Sequence, residues 1–515
     1  MFQKRQLAIN TVATGFNLII NFGINFFLTS YLVRVLGSTT FGFWGLANNI
    51  INYALIITTA LNSMAGRYIG IDYHRGNLAK ASGYFSSVFH ANLIFALILL
   101  LPSCIGIWFI DSLIDIPPDI VDDVKLLFYV VFINMCCNII FAVFGCVYVI
   151  KDRLDISSVV SIVSNVIKSL MLVYLYWKLR PSIVYLGTAT LCATVFFAIS
   201  NMFFKKRLVP ELKLRFENSS FTSVKTIVSS GIWNSLNQLS MILLQGLDLL
   251  IANLFVGAAA MGLISVAGMV PAVITTCIFA LAHVFSPRFL KLYSLNKFDD
   301  LFKDLRNSIK FLTVFSSIPI TFLISFGLPF YRLWTPTTDF TTVYYLSILV
   351  ILPLFSGGSI ISTHYLYTVA DKVKWQALIL FFAGLMNIII VLVLLKTTNL
   401  GVYAIVGVSA VMGFIRNFFF NAPLGAHCVH KKYSALWPDM FKSYLCLAVS
   451  ILICSTINHF FDLNTWTKLI VIGGGATLFS AYVISLMLLT SSQRTMLFSR
   501  IKSIFLKKGL YANNR

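Results

Sequence analysis

The chain has 515 residues, of which 58% are hydrophobic, 15% aromatic and only 11% charged, with 39 Lys and Arg against 18 Asp and Glu for a net charge of +21. Its mean hydropathy is +0.87. Soluble domains carry about a quarter charged residues, so this composition excludes a soluble globular enzyme and places the chain among polytopic membrane proteins.

The N-terminal MFQKRQLAIN has the basic start of a signal peptide. The apolar run after it is long, carries several Asn and lacks a small-residue cleavage site, so it reads as an uncleaved first span. Apolar runs of about 20 residues, enough to cross about 30 Å of hydrocarbon, predict fourteen spans. They lie at 12–32, 41–62, 84–110, 126–149, 156–177, 183–204, 232–255, 262–285, 309–330, 343–369, 375–395, 400–422, 441–461 and 467–489. Without the last two the count is twelve. No stretch between them is long and polar enough for a soluble domain. The nine Cys lie almost all inside apolar runs, without the spacing of a disulfide framework or zinc site, and read as packing residues.

With the N-terminus in the cytoplasm, 30 of the 39 Lys and Arg fall on that side, seven fall opposite, and Lys168 and Arg416 lie within spans. This is the positive-inside pattern and puts both termini in the cytoplasm. The longest outside loop, DSLIDIPPDIVDDVK, holds five Asp and one Lys. The basic charge therefore reflects topology and contact with anionic membrane lipids, and predicts no nucleic-acid partner.

An offset of 220 residues lays LGSTTFGFWGLA (from Leu36) over VGAAAMGLISVA (from Val256), pairing Gly37 with Gly257, Gly42 with Gly262 and Ala47 with Ala267. Both Gly-x4-Gly pairs fall after the first span of a six-span block, and an Arg follows the second span each time, Arg67 and Arg288. Six is even, so the blocks share orientation as parallel repeats. The expected architecture is all-α: about fourteen transmembrane helices in two six-helix lobes, 1–204 and 232–422, joined by a connector at 205–231, with two further spans and a basic tail at 423–515.

Polar residues recur at helical spacing inside four spans. Span 1 carries Asn10, Thr14, Asn17, Asn21 and Asn25; span 2 carries Asn48, Asn52, Thr59 and Asn62. Span 5 carries Ser157, Ser161, Ser164 and Lys168; span 7 carries Asn234, Asn237, Gln238, Gln245 and Asp248. Such rows are costly against lipid, so they predict a polar cavity between lobes. The alternative for any one of them is hydrogen bonding between tightly packed helices.

Asp248, in LLQGLDLLIANLFVG, is the only acidic residue inside a predicted span. It is the candidate ion-coupling site, with a fixed ion pair to Lys168 or Arg416 as the structural alternative. Lys168 and Arg416 are candidates for attracting an anionic substrate. Arg416 lies near a span end, where snorkelling competes with that role, and Arg34 and Arg67 compete with plain topological anchoring. His90 and His364, flanked by apolar residues, read as packing groups. Two connectors stand out. SLNKFDDLFKDLRNSIKF places Phe298, Leu301, Phe302, Leu305 and Ile309 on one face, as in a helix lying on the membrane. KKRLVPELKLRFENSSFTSVK is basic and interrupted by Pro, as in a hinge between lobes. No hydrolase, zinc-protease or nucleotide-binding motif is present, so the chain reads as a non-enzyme, without a metal or organic cofactor, that draws on a gradient or on substrate consumption.

The opening INTVATGFNLIINFGINFFLTSYLVRVLGSTTFGFWGLANNI, the segment ALNSMAGRYIGIDYHRGN and SGIWNSLNQLSMILLQGLDLLIANLFVG resemble the polysaccharide (O-antigen, Wzx-type) flippases of the multidrug/oligosaccharidyl-lipid/polysaccharide exporter superfamily. The resemblance extends over essentially the whole chain; the turn at Leu36, Gly37 and Gly42, Arg67, and Asp248 carry it. It implies a MATE-like fold that moves an undecaprenyl-diphosphate-linked oligosaccharide from the inner to the outer leaflet of the bacterial inner membrane by alternating access. It further implies a cationic cavity for the diphosphate, formed here by Lys168, Arg416, Arg67 and Arg34, coupling to a proton or sodium ion, and glycan polymerase and chain-length proteins as partners. Peptidoglycan-precursor flippases of the superfamily carry cavity arginines on span 1, where this chain has Asn and Thr, which argues against that member. A drug/cation antiporter of the same fold and a non-transporting scaffold of a glycan-assembly complex remain as alternatives.

Overall fold

The computed structural model describes residues 2–370, 372–491 and 493–495, so the basic tail from residue 496 onward lies outside the described residues. Among the described residues every regular element is helical. The helices of eight or more residues are α1 (Phe2–Leu36), α2 (Ser38–His74), α3 (Leu78–Trp108), α4 (Val121–Phe141), α5 (Leu154–Lys178), α6 (Val184–Leu208), α7 (Phe221–Met241) and α8 (Asp248–Phe255). They continue with α9 (Ala258–His283), α10 (Ser286–Ser294), α11 (Phe298–Trp334), α12 (Phe340–Gly357), α13 (Val373–Thr397), α14 (Val402–Ile415), α15 (Trp437–Phe460) and α16 (Gly474–Leu488). Among the described residues thirteen stretches are long and apolar enough to cross a membrane. The first of them, Ala13–Ile56, contains parts of two helices, α1 and α2, divided at Gly37, so each of the fourteen expected spans has a helical counterpart. The chain is a multi-pass membrane protein.

The 220-residue offset has a direct structural expression. Gly37 between α1 and α2 has φ 79° and its mate Gly257 between α8 and α9 has φ 121°, both in the region that an L side chain rarely enters. One turn further on, the mates Gly42 and Gly262 lie against each other: a Cβ on Gly42 would stand 2.8 Å from Gly262 Cα, and one on Gly262 would stand 2.5 Å from the Ser38 carbonyl oxygen. Gly45 repeats this with its own mate, since a Cβ there would lie 2.5 Å from Ser265 Oγ. Contact between equivalent residues is what an axis running between two copies of one motif produces.

The chain forms two compact units. The first comprises Met1–Val266, Thr337–Asp339 and Lys374–Val408; the second comprises Ala267–Pro336, Phe340–Val373 and Ser409–Arg515. In the first unit α2 packs on α7 and α3, α4 on α6, and α1 on α5. Its core gathers Leu61, Ile69, Phe85, Val88, Val147 and Ile227, and the Ala60 carbonyl of α2 presses directly on Gly231 of α7. In the second unit α11 is the central element, packing on α12, α15 and α16. Small hydroxyls stitch it to α15, Thr313 to Ser443 at 2.8 Å and Thr321 donating to Ser450 at 3.0 Å, and stitch α15 in turn to α16, Ser450 donating to Ser480 at 2.7 Å. Such pairs satisfy polar groups where lipid offers none.

Three expectations are corrected. Residues 298–309 do not form a separate surface helix; they are the first turns of the continuous α11. Their apolar face is covered by protein, with Leu301, Leu305 and Ile309 fully buried beside Phe289, Leu366 and Ala422. Their polar side is held by ion pairs of Asp304 with Arg288, Asp299 with Lys431 and Arg306 with Asp439. The connector is not a free hinge. Val209 and Leu212 are fully buried, and three α3 serines hold its backbone: Ser86 Oγ donates to the Lys213 carbonyl at 3.2 Å, Ser82 Oγ accepts from the Lys213 amide at 3.2 Å, and Ser87 Oγ accepts from the Ser220 amide at 2.9 Å. The span expected at 343–369 is broken: α12 ends at Gly357, residues 358–362 turn, and a short helix Thr363–Val369 follows. At the break a Cβ on Gly357 would run into Asn417 Nδ2 and one on Gly358 would stand 2.6 Å from the Leu354 carbonyl oxygen, so neither position has room for a side chain.

Gly262→Val should disrupt the contact between the repeat-related turns, because its Cβ has no space against the Ser38 backbone. Overpacking of this kind costs roughly 1–3 kcal/mol. The expected outcome is a lower unfolding temperature and less monodisperse protein by size exclusion. Gly15→Ala, where a Cβ meets nothing within 4 Å, should be neutral or slightly stabilising.

Candidate functional site

The site is built around one interruption in the helical ladder. Between α7 and α8 the backbone widens into a π turn, Ile242–Gly246, and the Leu247 amide reaches back to the Ile242 carbonyl at 3.1 Å. π turns inserted in α-helices are frequent at functional positions because they displace side chains and free carbonyls. Here the freed carbonyls take side-chain donors. Gly246 O accepts from Asn49 Nδ2 at 3.1 Å and from Tyr53 Oη at 2.5 Å, and Leu244 O accepts from Asn387 Nδ2 at 3.0 Å. Asp248 follows at once, half-buried at the first position of α8, where a carboxylate is favoured by the helix dipole. It interacts electrostatically with Tyr53. Asn49, Tyr53 and Asn387 are absent from the sequence-derived candidates; the spacing of Asn49 and Tyr53 at i and i+4 was the available signal.

The other end of the same stretch of α2 holds the cation. Half-buried Lys168 of α5 places its Nζ 5.7 Å from the centre of the Trp44 ring, within cation–π range. Among the described residues Lys168 enters no ion pair. Trp44 and Tyr53 stand nine residues apart on α2, about 13 Å along the axis. The helix thus carries the cation's aromatic seat and the carboxylate's hydroxyl neighbour at separate levels.

The remaining candidates divide by environment. Asn17 and Asn21 of α1 are half-buried and bonded to each other, Asn21 Nδ2 donating to Asn17 Oδ1 at 2.9 Å, while Asn21 Oδ1 is buried with no partner. Asn48 donates to the Trp44 carbonyl at 2.6 Å. Asn62 pairs through both amide groups with Asn92 of α3, at 3.2 and 2.9 Å, and Asn234 donates to Ser63 Oγ at 3.0 Å. The carbonyl of half-buried Ser161 accepts from Asn165 Nδ2 at 2.9 Å. Asn237 is half-buried, and Asn25, Asn52, Gln245, Arg34 and Arg67 are exposed. Asn10 is buried and holds the start of α5 through Asp152 and the Asp155 amide.

Arg416 belongs to the second unit. It opens another π turn, Arg416–Asn421, and its Nε is buried without a hydrogen-bond partner. His364 and Tyr367 lie close enough to interact with its charge. The neighbouring Asn417 donates to the Pro353 carbonyl at 3.0 Å, satisfying α12 just before it breaks.

No family model matches the chain. Over 488 residues, 93% of this chain and 95% of the relative, it is 25% identical to the uncharacterized membrane protein EpsK of Bacillus subtilis (strain 168). Among solved structures it is similar to a multidrug resistance MATE family transporter of the MOP superfamily in an inward-facing conformation, with TM-score 0.65 and 15% identity over 81% of this chain and 96% of that one. It is also similar to the lipid II flippase MurJ in an inward closed conformation, with TM-score 0.62 and 15% identity over 94% of this chain and 100% of that one. The chain therefore has the all-helical fold of MOP superfamily transporters.

Removing both donors to the Gly246 carbonyl should cost more than the sum of the single losses. Asn49→Ala and Tyr53→Phe each leave one bond, about 0.5–1.5 kcal/mol. The double variant strands the carbonyl and should couple by an additional 1 kcal/mol, roughly. Thermal unfolding of the four proteins of the cycle measures this; strict additivity would show that the carbonyl is solvated.

Proposed function

We propose that the chain is a flippase for a lipid-linked oligosaccharide, moving an undecaprenyl-diphosphate-linked repeat unit of an O-antigen or capsule from the inner to the outer leaflet of the bacterial inner membrane by alternating access. The observation that carries this reading is the extent of the structural likeness. The lipid II flippase is matched over 94% of this chain and the MATE transporter over 81%, although both are matched over nearly all of their own length. A lipid flippase accounts for more of this chain than a drug exporter does. The polar residues along α1, α2, α5 and α7 suit a glycan, and Lys168, half-buried without an acidic partner among the described residues, suits its diphosphate. Both termini face the cytoplasm in this reading, and glycan polymerase and chain-length proteins act downstream.

Asp248 is the coupling carboxylate. The Gly246 carbonyl beside it already receives two donors, so that carbonyl does not serve a sodium ion while those bonds hold, which favours a proton. The second reading is a drug/cation antiporter, favoured by the slightly higher TM-score of the MATE transporter, 0.65 against 0.62. In that reading Asp248 binds an organic cation and Lys168 opposes it.

The deciding experiment measures which leaflet holds the lipid-linked oligosaccharide, with an impermeant glycan-modifying reagent on oriented vesicles from cells with and without the chain. Accumulation on the cytoplasmic leaflet without it is the expected result; an unchanged distribution, together with cation efflux, would select the antiporter. Asp248→Asn and Lys168→Ala, each confirmed as inserted, should lower flipping at least about tenfold, the consequence of losing roughly 1.4 kcal/mol at either group. Full export by both variants would refute the roles given to them.

A further inference from the structure

The last turns of α2 border an open groove of about 510 Å³, which holds Arg67 but none of the other residues that the resemblance assigns to the diphosphate. Its floor is made where α2 crosses the short helix Cys146–Ile150: a Cβ on Gly66 would stand 3.8 Å from Cys146 Cβ, and one on Gly70 would stand 3.7 Å from Ile150 Cγ1. Ile71 and Val149 supply exposed apolar walls. Arg67, His74 and Arg75 supply the rim, all three exposed. Arg67, Ile71 and His74 follow one another at three or four residues, which puts them on one face of the helix. The single acid in this stretch, Asp72, is buried and turned to Lys80, its carboxylate 3.8 Å from the ammonium. Among the described residues neither arginine enters an ion pair.

An apolar wall below unpaired guanidinium groups is the chemistry of a phosphorylated lipid headgroup whose first hydrocarbon units remain in the membrane. Two arginines and an imidazole with no acid in the lining match a diphosphate, which carries more charge than the single phosphodiester of a bulk phospholipid. We propose that this groove is a docking site for the diphosphate of a polyprenyl lipid, loading it from the basic side of the membrane before it reaches Lys168. The proposal rests on the flippase reading for the identity of the lipid, and on the groove alone for its place.

The test uses the full chain in phosphatidylcholine nanodiscs and the anisotropy of a fluorescent farnesyl diphosphate. The wild type should bind it and not bind the matching farnesol. The variant R67Q/R75Q should bind about tenfold more weakly or worse, since each lost charge-assisted contact is worth around a factor of ten. R67K/R75K, which retains the charges, should stay within about threefold, and R288Q, at the arginine that follows the corresponding span of the second block, should match the wild type. Because both arginines are exposed, a monodisperse size-exclusion peak is expected for every variant. Unchanged binding by R67Q/R75Q would overturn the site. Equal displacement of the probe by vesicles with 30% phosphatidylglycerol would overturn the diphosphate assignment in favour of general anionic lipid. If R67Q/R75Q loses binding but the wild-type chain changes no leaflet distribution, the groove stands and the flippase reading falls.

Discussion

A chain that crosses lipid has to satisfy its backbone carbonyls and amides from within, because hydrocarbon offers no partner and each orphan costs several kcal/mol. Most of this molecule obeys that constraint by remaining helical. The informative places are those where the ladder opens. At Ile242–Gly246 the loosened carbonyls are met by Asn49, Tyr53 and Asn387; at Arg416–Asn421 the carbonyls of Phe418 and Asn421 are met by Trp437 and Tyr367, at 3.2 and 2.5 Å. Polar side chains in the spans therefore have two tasks. Some line the cavity of the proposed flippase, and others complete backbone that a regular helix would have completed by itself.

The repeat gives the second constraint. Gly42 and Gly262 meet through backbone, so neither copy of the motif can acquire a side chain there without displacing the other. The turns one step earlier need glycine for a different reason, their positive φ at Gly37 and Gly257. Conformation and close approach thus act at neighbouring positions of one short segment. That is why Gly-x4-Gly survives in both copies while the intervening residues, STTF against AAAM, have diverged.

The fourteen spans were legible because twenty apolar residues in succession have few other fates, and the repeat was legible because glycine has few substitutes. What the sequence hid was context. Phe298 to Ile309 has the pattern of a helix on a membrane surface, but an apolar face does not say whether lipid or protein covers it, and here Phe289, Leu366 and Ala422 do. The connector is basic and broken by Pro, but its attachment depends on Ser82, Ser86 and Ser87, more than a hundred residues away and themselves looking like ordinary helix surface. Among the candidate residues, Asp248 and Lys168 of the first unit and Arg416 of the second stood out because charge in a span is rare. Asn49 and Tyr53 did not, because a π turn is a property of the backbone, and their i, i+4 spacing alone does not say which carbonyl they serve.

The separation of charges follows from these parts. An aspartate and a lysine close together in a low-dielectric bundle would form a strong ion pair that neither transported ion nor substrate could open cheaply. Here α2 meets each of them: Trp44 takes the ammonium through its ring face, and Tyr53, bonded to the Gly246 carbonyl, interacts electrostatically with the carboxylate. The ring face stabilises the cation without neutralising it, as the anion-binding role proposed for Lys168 requires. The π turn places Asp248 at the first position of a helix, where the dipole favours a carboxylate. In the flippase proposed above, α2 therefore touches both groups, the substrate-facing cation through Trp44 and the coupling carboxylate through Tyr53.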